Sequence, residues 1–278
     1  MIRVIVAFLI IVLSTFHADA IKLNQRGEKM VSEIRVELNG NYGYAPYSIK
    51  FGYDFHDEVN SIVFERKCVE HEIAVLKKDS KGNITRTDIV NGKRFGAYEI
   101  KVDSKKRPTE MLYYEVKNAK HVKLYSFKYI YDFEDFALSI IHHDEGDTFA
   151  DLRESIKIDN GNIHTFSNNI NLRKGSESIL KARDLNISYL DTRNDLNIDL
   201  FQIVRGYSNV GGAFLSLVVD NNFLMLSQWI PLKSPKLLLS INDYNLCYNY
   251  SDTNITSVDV KFSLTDELMY TIFIKYVE

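Results

Sequence analysis

The alternation of apolar and polar residues most constrains how this chain can fold. Residues 33–38 read Glu-Ile-Arg-Val-Glu-Leu, and residues 258–264 read Val-Asp-Val-Lys-Phe-Ser-Leu. Successive side chains of a β-strand point to opposite faces, so each segment is predicted to be a strand with one buried face. Asn160-Gly161, between two more such segments, favours a hairpin turn because both residues tolerate positive φ. We predict a mainly β protein of antiparallel, sandwich-like sheets with minor helix.

Other segments extend this prediction along the chain. Asn91-Gly92 falls within a predicted meander of strands over residues 62–102, and residues 265–267 are predicted to form a turn before a final strand at 268–277. Together they place strands in both halves of the sequence.

Three segments leave helix open. Residues 133–141 fit helical spacing and strand alternation equally well, and residues 152–154 and 176–182 are each compatible with a short helix.

The N-terminus has the pattern of a secretory signal peptide. Residues 1–3 carry one positive charge, residues 4–16 are almost entirely apolar, and Ala18 and Ala20 are small residues at the positions that signal peptidase reads. The apolar segment is shorter than the roughly 20 residues that span a bilayer. We predict that cleavage makes Ile21 the first residue of a secreted, extracellular protein, or of one held in the secretory-pathway lumen. The alternative is an uncleaved N-terminal anchor.

Length and composition describe a folded globular protein. The chain has 278 residues, of which 45% are hydrophobic and 26% charged. We predict a signal peptide at 1–20 and two β-rich domains at 21–148 and 149–278, because the polar segment near 144–151 interrupts the apolar pattern. A single large β domain is the alternative.

The charge balance and the hydropathy limit the partners of this chain. The formal net charge of −3 lacks the sustained positive field that phosphate backbones require, so no nucleic-acid partner is predicted. No later segment has the length of a spanning helix, so no direct membrane span is predicted.

The two cysteines are far apart in sequence. Cys68 and Cys247 are predicted to form one disulfide, because the secretory pathway is oxidising and no third cysteine competes. Two buried free thiols are the alternative.

Four Asn-x-Ser/Thr sequons follow the predicted signal peptide. Each is a candidate for N-glycosylation in a secreted protein, although an Asn-rich chain also produces sequons by chance. The candidate residues are Asn83, Asn186, Asn249 and Asn254.

One segment resembles a known family. Residues 62–65 and 72–76 run into a Lys-Asp-Ser-Lys-Gly-Asn hairpin at 78–83, and a second apolar pair of segments ends at Trp229. This order is similar to the FAINT-type β repeats of secreted and surface antigens of piroplasm parasites. The resemblance implies an exported protein with a host-facing role and supplies no catalytic residues.

The catalytic and metal-binding patterns in the sequence are weak. His142 and His143 precede an acidic segment, but adjacent strand residues point to opposite faces and cannot easily share a metal. We do not expect His71, His142, His143 and His164 to converge with acidic groups in one pocket. No catalytic residue, metal site or cofactor is predicted.

An aromatic stripe offers another possible surface. Residues 125, 127, 129 and 131 are Tyr, Phe, Tyr and Tyr, which we assign to a core in preference to a surface that stacks sugars.

We therefore predict a secreted, glycosylated, non-enzymatic β protein that acts through binding to an unknown protein or glycan ligand. The alternatives are a secreted hydrolase with paired carboxylates, as in glycosidases, and a carbohydrate-binding module.

Overall fold

The computed structural model describes most of the chain between its predicted signal peptide and its C-terminus. The described residues are 21–39, 46–66, 72–80, 84–91, 94–104, 107–117, 120–131, 135–143, 148–174, 177–201, 203–204 and 233–278.

Sixteen strands lie in the described ranges. They are β1 (Val31–Leu38), β2 (Tyr47–Tyr53), β3 (Val59–Arg66), β4 (Glu72–Lys78), β5 (Ile84–Asn91), β6 (Arg94–Val102), β7 (Pro108–Lys117), β8 (Lys120–Tyr131), β9 (Asp135–His143), β10 (Thr148–Asp159), β11 (Asn162–Lys174), β12 (Glu177–Arg193), β13 (Lys236–Ile241), β14 (Tyr244–Ser251), β15 (Asn254–Phe262) and β16 (Glu267–Tyr276).

The strands form one closed antiparallel barrel. Each strand pairs with its neighbours in sequence, and β1 pairs with β16 through Ile34 opposite Ile274 and Val36 opposite Ile272. The predicted antiparallel β fold is confirmed. The sandwich-like arrangement is not what the strands adopt, because pairing of the first strand with the last joins them into a single wall without a free edge in the described chain.

Local features of the barrel follow from the sequence. Asn160 and Gly161 have φ of 49° and 80°, which confirms the predicted hairpin turn between β10 and β11. The predicted meander is confirmed as β3 to β6. The three segments that left helix open contribute strand residues to β9, β10 and β12. Cross-strand pairing on both sides of each strand decides their conformation.

The division into two β-rich halves stays a prediction. Strands from both halves lie in the same barrel, and β9 and β10 pair across the segment where the division was placed. Residues 144–147 lie outside the described residues.

Alternation along the described strands places apolar side chains on one buried face. In β1, Ile34 and Val36 are fully buried, whereas Arg35 and Glu37 are exposed. Buried side chains of β1 to β3 and of β12 to β16 belong to one apolar cluster. Asn197 bonds to β1, and Asp199 in the same segment bonds to Ser234, which bonds to β11 six neighbours away around the wall. This segment therefore crosses the barrel, and because its apolar side chains belong to the same cluster, the apolar face of the wall points inward.

Within the described part of the chain, no helix is long and apolar enough to cross a membrane.

Candidate functional site

One end of the barrel is covered by segments that are not part of the wall. We call this assembly the cap and define it as residues 21–30, 194–201 and 233–235. It lies at the end where β1 begins, because residues 21–30 lead directly into Val31. The same end carries the turn between β2 and β3.

The N-terminal part of the cap is fixed by backbone hydrogen bonds to Val277 and to the segment at 195–197. Lys22 N donates to Val277 O at 2.8 Å, and Val277 N donates to Met30 O at 2.9 Å. Lys29 pairs in parallel with Leu196, an arrangement in which Lys29 N donates to Asp195 O at 2.7 Å. These bonds form a small second sheet at the end of the barrel.

The middle part of the cap fills the barrel with apolar side chains. Residues 195–200 alternate polar and apolar. The apolar side chains of this segment and of the next residue are at most 3% exposed, namely Leu196, Ile198, Leu200 and Phe201. They belong to the same cluster as the inward side chains of the wall. The alternation of this segment is a signal that our sequence analysis did not use.

Asp199 joins the two ends of the long connection between β12 and β13. Its Oδ1 accepts a hydrogen bond from Phe201 N at 2.9 Å, and its Oδ2 accepts one from Ser234 N at 2.7 Å. Burial raises the pKa of Asp199, although both backbone donors favour the charged form. Ser234 Oγ in turn donates to the Tyr189 hydroxyl at 3.0 Å, which ties this junction to β12.

Asn197 links the cap to the first strands. Its Oδ1 accepts from Val31 N at 2.9 Å, and its Nδ2 donates to the Tyr53 hydroxyl at 2.8 Å. The Tyr53 hydroxyl donates to Val31 O at 2.5 Å. Burial raises the pKa of Tyr53 to about 12, so this hydroxyl stays protonated and keeps its donor.

A buried ion pair completes the cap. Lys233 Nζ lies 2.5 Å from Glu28 Oε1, and the two side chains are 12% and 10% exposed. Burial opposes the charge of Glu28, but hydrogen bonds from Lys233 and Asn24 outweigh it and hold the pKa of Glu28 below its ordinary value. Both buried carboxylates of the cap, Glu28 and Asp199, are thus engaged by donors of the chain itself, which is an arrangement for holding segments together.

Large exposed apolar side chains lie at the cap end of the barrel, where Lys29 Nζ donates to the carbonyl oxygen of Thr253, just after β14. Phe55 is 88% exposed, Leu23 is 52% exposed and Tyr250 is 50% exposed. Leu23 lies in the N-terminal part of the cap, and Lys22 beside it forms an ion pair of 2.6 Å with Asp57 in the turn that carries Phe55. The two exposed side chains are therefore on connected segments.

The turn that presents Phe55 is held in one conformation. The Asp54 carboxylate accepts hydrogen bonds from His56 N at 2.9 Å and from Glu58 N at 3.1 Å. Asp57 N donates to Asp54 O at 3.0 Å, and Asp57 has the positive φ of 61° that a tight turn requires. Phe55 is not identifiable from the sequence, because a single aromatic residue in a turn carries no pattern.

The predicted disulfide is not formed in the described residues. Cys247 lies on β14 with an exposed free thiol, and Cys68 lies outside the described residues. The strand before Cys68, β3, is five neighbours away from β14 around the wall. The bond stays a prediction, without the support that adjacent strands would give it.

The described glycosylation candidates lie on strands. Asn186 and Asn249 are exposed, Asn254 is half-buried at the start of β15, and Asn83 lies outside the described residues. Asn249 Nδ2, the nitrogen that would carry a glycan, donates to Ser257 Oγ at 3.1 Å and to Asp259 Oδ2 at 3.2 Å. Their glycosylation stays a prediction.

The described candidate histidines, His142, His143 and His164, lie on two different strands. His164 is exposed at the start of β11, whereas His142 and His143 lie at the end of β9 and pair with β10. His71 lies outside the described residues. Among the described residues, no group of three or more His, Cys, Asp or Glu side chains could hold a metal ion.

The aromatic stripe lies on β8, as its alternation predicts. The side chains of Tyr125, Phe127, Tyr129 and Tyr131 are outside the described part, so their assignment to a core stays a prediction.

Comparison with known proteins places the fold among porin-like β proteins. A porin-like protein from Bacteroides vulgatus superimposes with a TM-score of 0.57 at 14% identity, over 89% of this chain and 98% of that chain. A porin-like protein from Bacteroides uniformis gives a TM-score of 0.51 at 8% identity, with the same coverage. No protein-family model and no curated protein matches the chain. At these identities the likeness shows the fold alone.

Proposed function

We propose that this chain is a secreted, non-enzymatic binding protein that contacts a partner protein through the solvent side of its cap. The barrel is the scaffold, and the side chains of Leu23, Phe55 and Tyr250 are the contact residues. The observation that carries the proposal is the 88% exposure of Phe55 on a turn held by Asp54.

Rigid presentation of an aromatic ring favours binding for an energetic reason. Burial of a Phe side chain is worth about 1.5–3 kcal/mol, and aromatic anchors near the centre of an interface contribute most of its affinity. Because the turn is already ordered, little conformational entropy is lost when the ring is covered. Leu23 and Tyr250 then supply apolar area on neighbouring segments.

A host-facing role is the more specific form of this proposal. It is supported by the signal peptide pattern at residues 1–20 and by the resemblance of residues 62–83 to the β repeats of parasite surface antigens. The partner on this proposal is a host protein in the extracellular fluid.

Crosslinking followed by affinity measurement tests the proposal. A photoreactive phenylalanine analogue at position 55 is expected to crosslink one partner from the extracellular fluid, and Phe55→Ala is expected to weaken the affinity for that partner by about 2 kcal/mol, or roughly thirtyfold. The matched control is Leu264, which is 81% exposed in the turn between β15 and β16 at the other end of the barrel.

The control makes the result specific to the cap. Crosslinking from position 264 should fail, and Leu264→Ala should bind as the unchanged chain does. Equal binding by the Phe55→Ala and unchanged chains would show that the cap surface is not the contact.

A further inference from the structure

The outward face of the barrel carries charge along neighbouring strands. On β16, Ile272 and Ile274 are buried, whereas Lys275 is exposed. On β2, Ile49 and Phe51 are buried, whereas Lys50 is exposed. The wall from β14 through β15, β16 and β1 to β2 repeats this polarity, and we call it the charged sector.

The outward charges of the charged sector are paired across strands. Lys275 Nζ lies 2.6 Å from Glu33 Oε2, and Lys50 Nζ lies 2.7 Å from Glu65 Oε2 on adjoining β3. Glu33 is directly opposite both Lys50 and Lys275 in the register, so acidic and basic side chains alternate from β3 to β16. Such pairs form a continuous polar row around this part of the barrel.

Further polar contacts extend the row along the strands. Arg35 Nε lies 2.9 Å from Glu37 Oε1, and the Arg35 guanidinium lies 4.9 Å from the centre of the Phe273 ring. On the next strand, Asp259 Oδ1 accepts a hydrogen bond from Thr271 Oγ1 at 2.8 Å. The single outward aromatic ring in these contacts is therefore covered by a cation.

This polarity is opposite to that of a barrel that spans a bilayer. A spanning barrel has an outward apolar band about 25 Å tall and a polar lumen, and one Lys or Arg facing lipid at the midplane costs about 2–4 kcal/mol. Here the inward side chains are apolar and belong to one buried cluster, while Arg35, Lys50 and Lys275 point outward.

We propose that the charged sector faces water in the working protein, so that a porin-like fold is used here with a polar outer wall along this sector. On this proposal the charged sector contacts water and does not form the lipid-facing side of a pore. The inference agrees with the proposed secreted protein but rests on other residues, because neither Phe55 nor any other contact residue of the cap enters it. Failure of crosslinking at position 55 together with iodide quenching at Cys247 would overturn the proposed function alone.

Cys247 provides a probe within the charged sector. It is exposed on β14, where Leu246 and Tyr248 on either side of it belong to the interior or pack against it. In the mature chain with Cys68→Ser, a bimane group attached at Cys247 reports its surroundings. The sample is mixed with vesicles of phosphatidylcholine and phosphatidylglycerol, and fluorescence is quenched in turn by aqueous iodide and by lipids with a nitroxide on the acyl chain.

Iodide is expected to quench the bimane at Cys247 severalfold more than the nitroxide lipids do. Dominant quenching by the nitroxide lipids would overturn the proposal, and so would quenching by neither reagent, because the face would then be covered by protein. If Cys68→Ser does not fold, a chain that keeps Cys68 and Cys247 and carries a fluorescent unnatural amino acid at position 37 repeats the test on β1. The same amino acid at position 246 is the inward control, and it should be shielded from both quenchers.

Discussion

At the scale of single residues, Asp199 gives the cap a pH-dependent contribution to stability. Burial raises its pKa above the ordinary value of 3.8, so the folded chain keeps a proton over a pH range in which the unfolded chain has released it. Its contribution is fully present below that ordinary value and is lost as the pH rises through the raised folded-state value. The free energy of unfolding of the unchanged chain, minus that of Asp199→Asn, should therefore fall as pH increases and then become constant.

Urea unfolding of both chains between acid and neutral pH measures this difference. Asp191→Asn is the control, because Asp191 is exposed and its hydrogen bond from Lys236 holds its pKa below the ordinary value. For Asp191, the free energy of unfolding of the unchanged chain minus that of Asp191→Asn should rise slightly as pH increases. A rising difference for Asp199 would contradict the burial argument.

Residues of this kind are the part of the site that sequence alone does not reveal. In the sequence, Asp199 is indistinguishable from an ordinary turn residue. Only the tertiary fold brings Ser234 next to it, so that Ser234 N becomes a second backbone donor to its carboxylate. Phe55 similarly depends on the tertiary position of its turn. The distances in sequence between these groups carry no period that would connect them.

At the scale of a strand, alternation decides which face is buried. Val36 is fully buried in β1 and Glu37 next to it is exposed, so the same substitution should have very different effects at the two positions. We expect Val36→Lys to lower the free energy of unfolding by more than about 3 kcal/mol, because it places an unpaired charge in an apolar cluster. Glu37→Lys removes a solvent-exposed pair with Arg35 and should cost about 1 kcal/mol or less.

Thermal and urea unfolding of the two variants in buffer without detergent provide the measurement. Equal destabilisation would mean that the two faces of β1 are in similar surroundings, contrary to an inward apolar and an outward polar face.

The strands were the part of the fold most accessible to sequence analysis. The segments at 33–38 and 258–264 became β1 and β15 because a period of two is a property of neighbouring residues. Residues 133–141 were ambiguous for the same reason: local spacing fitted both structures, and pairing of β9 with β8 and β10 decided between them.

At the scale of the whole molecule, closure depends on which strands become neighbours. Period two predicts an inside and an outside for each strand, but it is equally compatible with two stacked sheets and with one closed wall. The deciding contact, β1 with β16, joins residues that are more than two hundred positions apart, such as Val36 and Ile272. Sequence analysis therefore predicted antiparallel β structure and not the barrel.

The closure also brings residues 22 and 277 together, which allows a test of the complete architecture. Lys22 N donates to Val277 O at 2.8 Å, so a short glycine linker can join Glu278 to Ile21. If this circular chain is opened between Leu264 and Thr265, in an exposed turn away from the cap, every wall strand keeps both neighbours. We expect this permutant to be monomeric, with the circular dichroism spectrum of the original chain and a stability within about 1–2 kcal/mol of it.

Opening the same circle between Asp199 and Leu200 is the matched control, because it breaks the buried junction at Phe201 and Ser234. That chain should be markedly less stable in urea. If the two permutants were equally stable, the cap would not be holding the end of the barrel, and if the first failed to fold, closure through β1 and β16 would be in error.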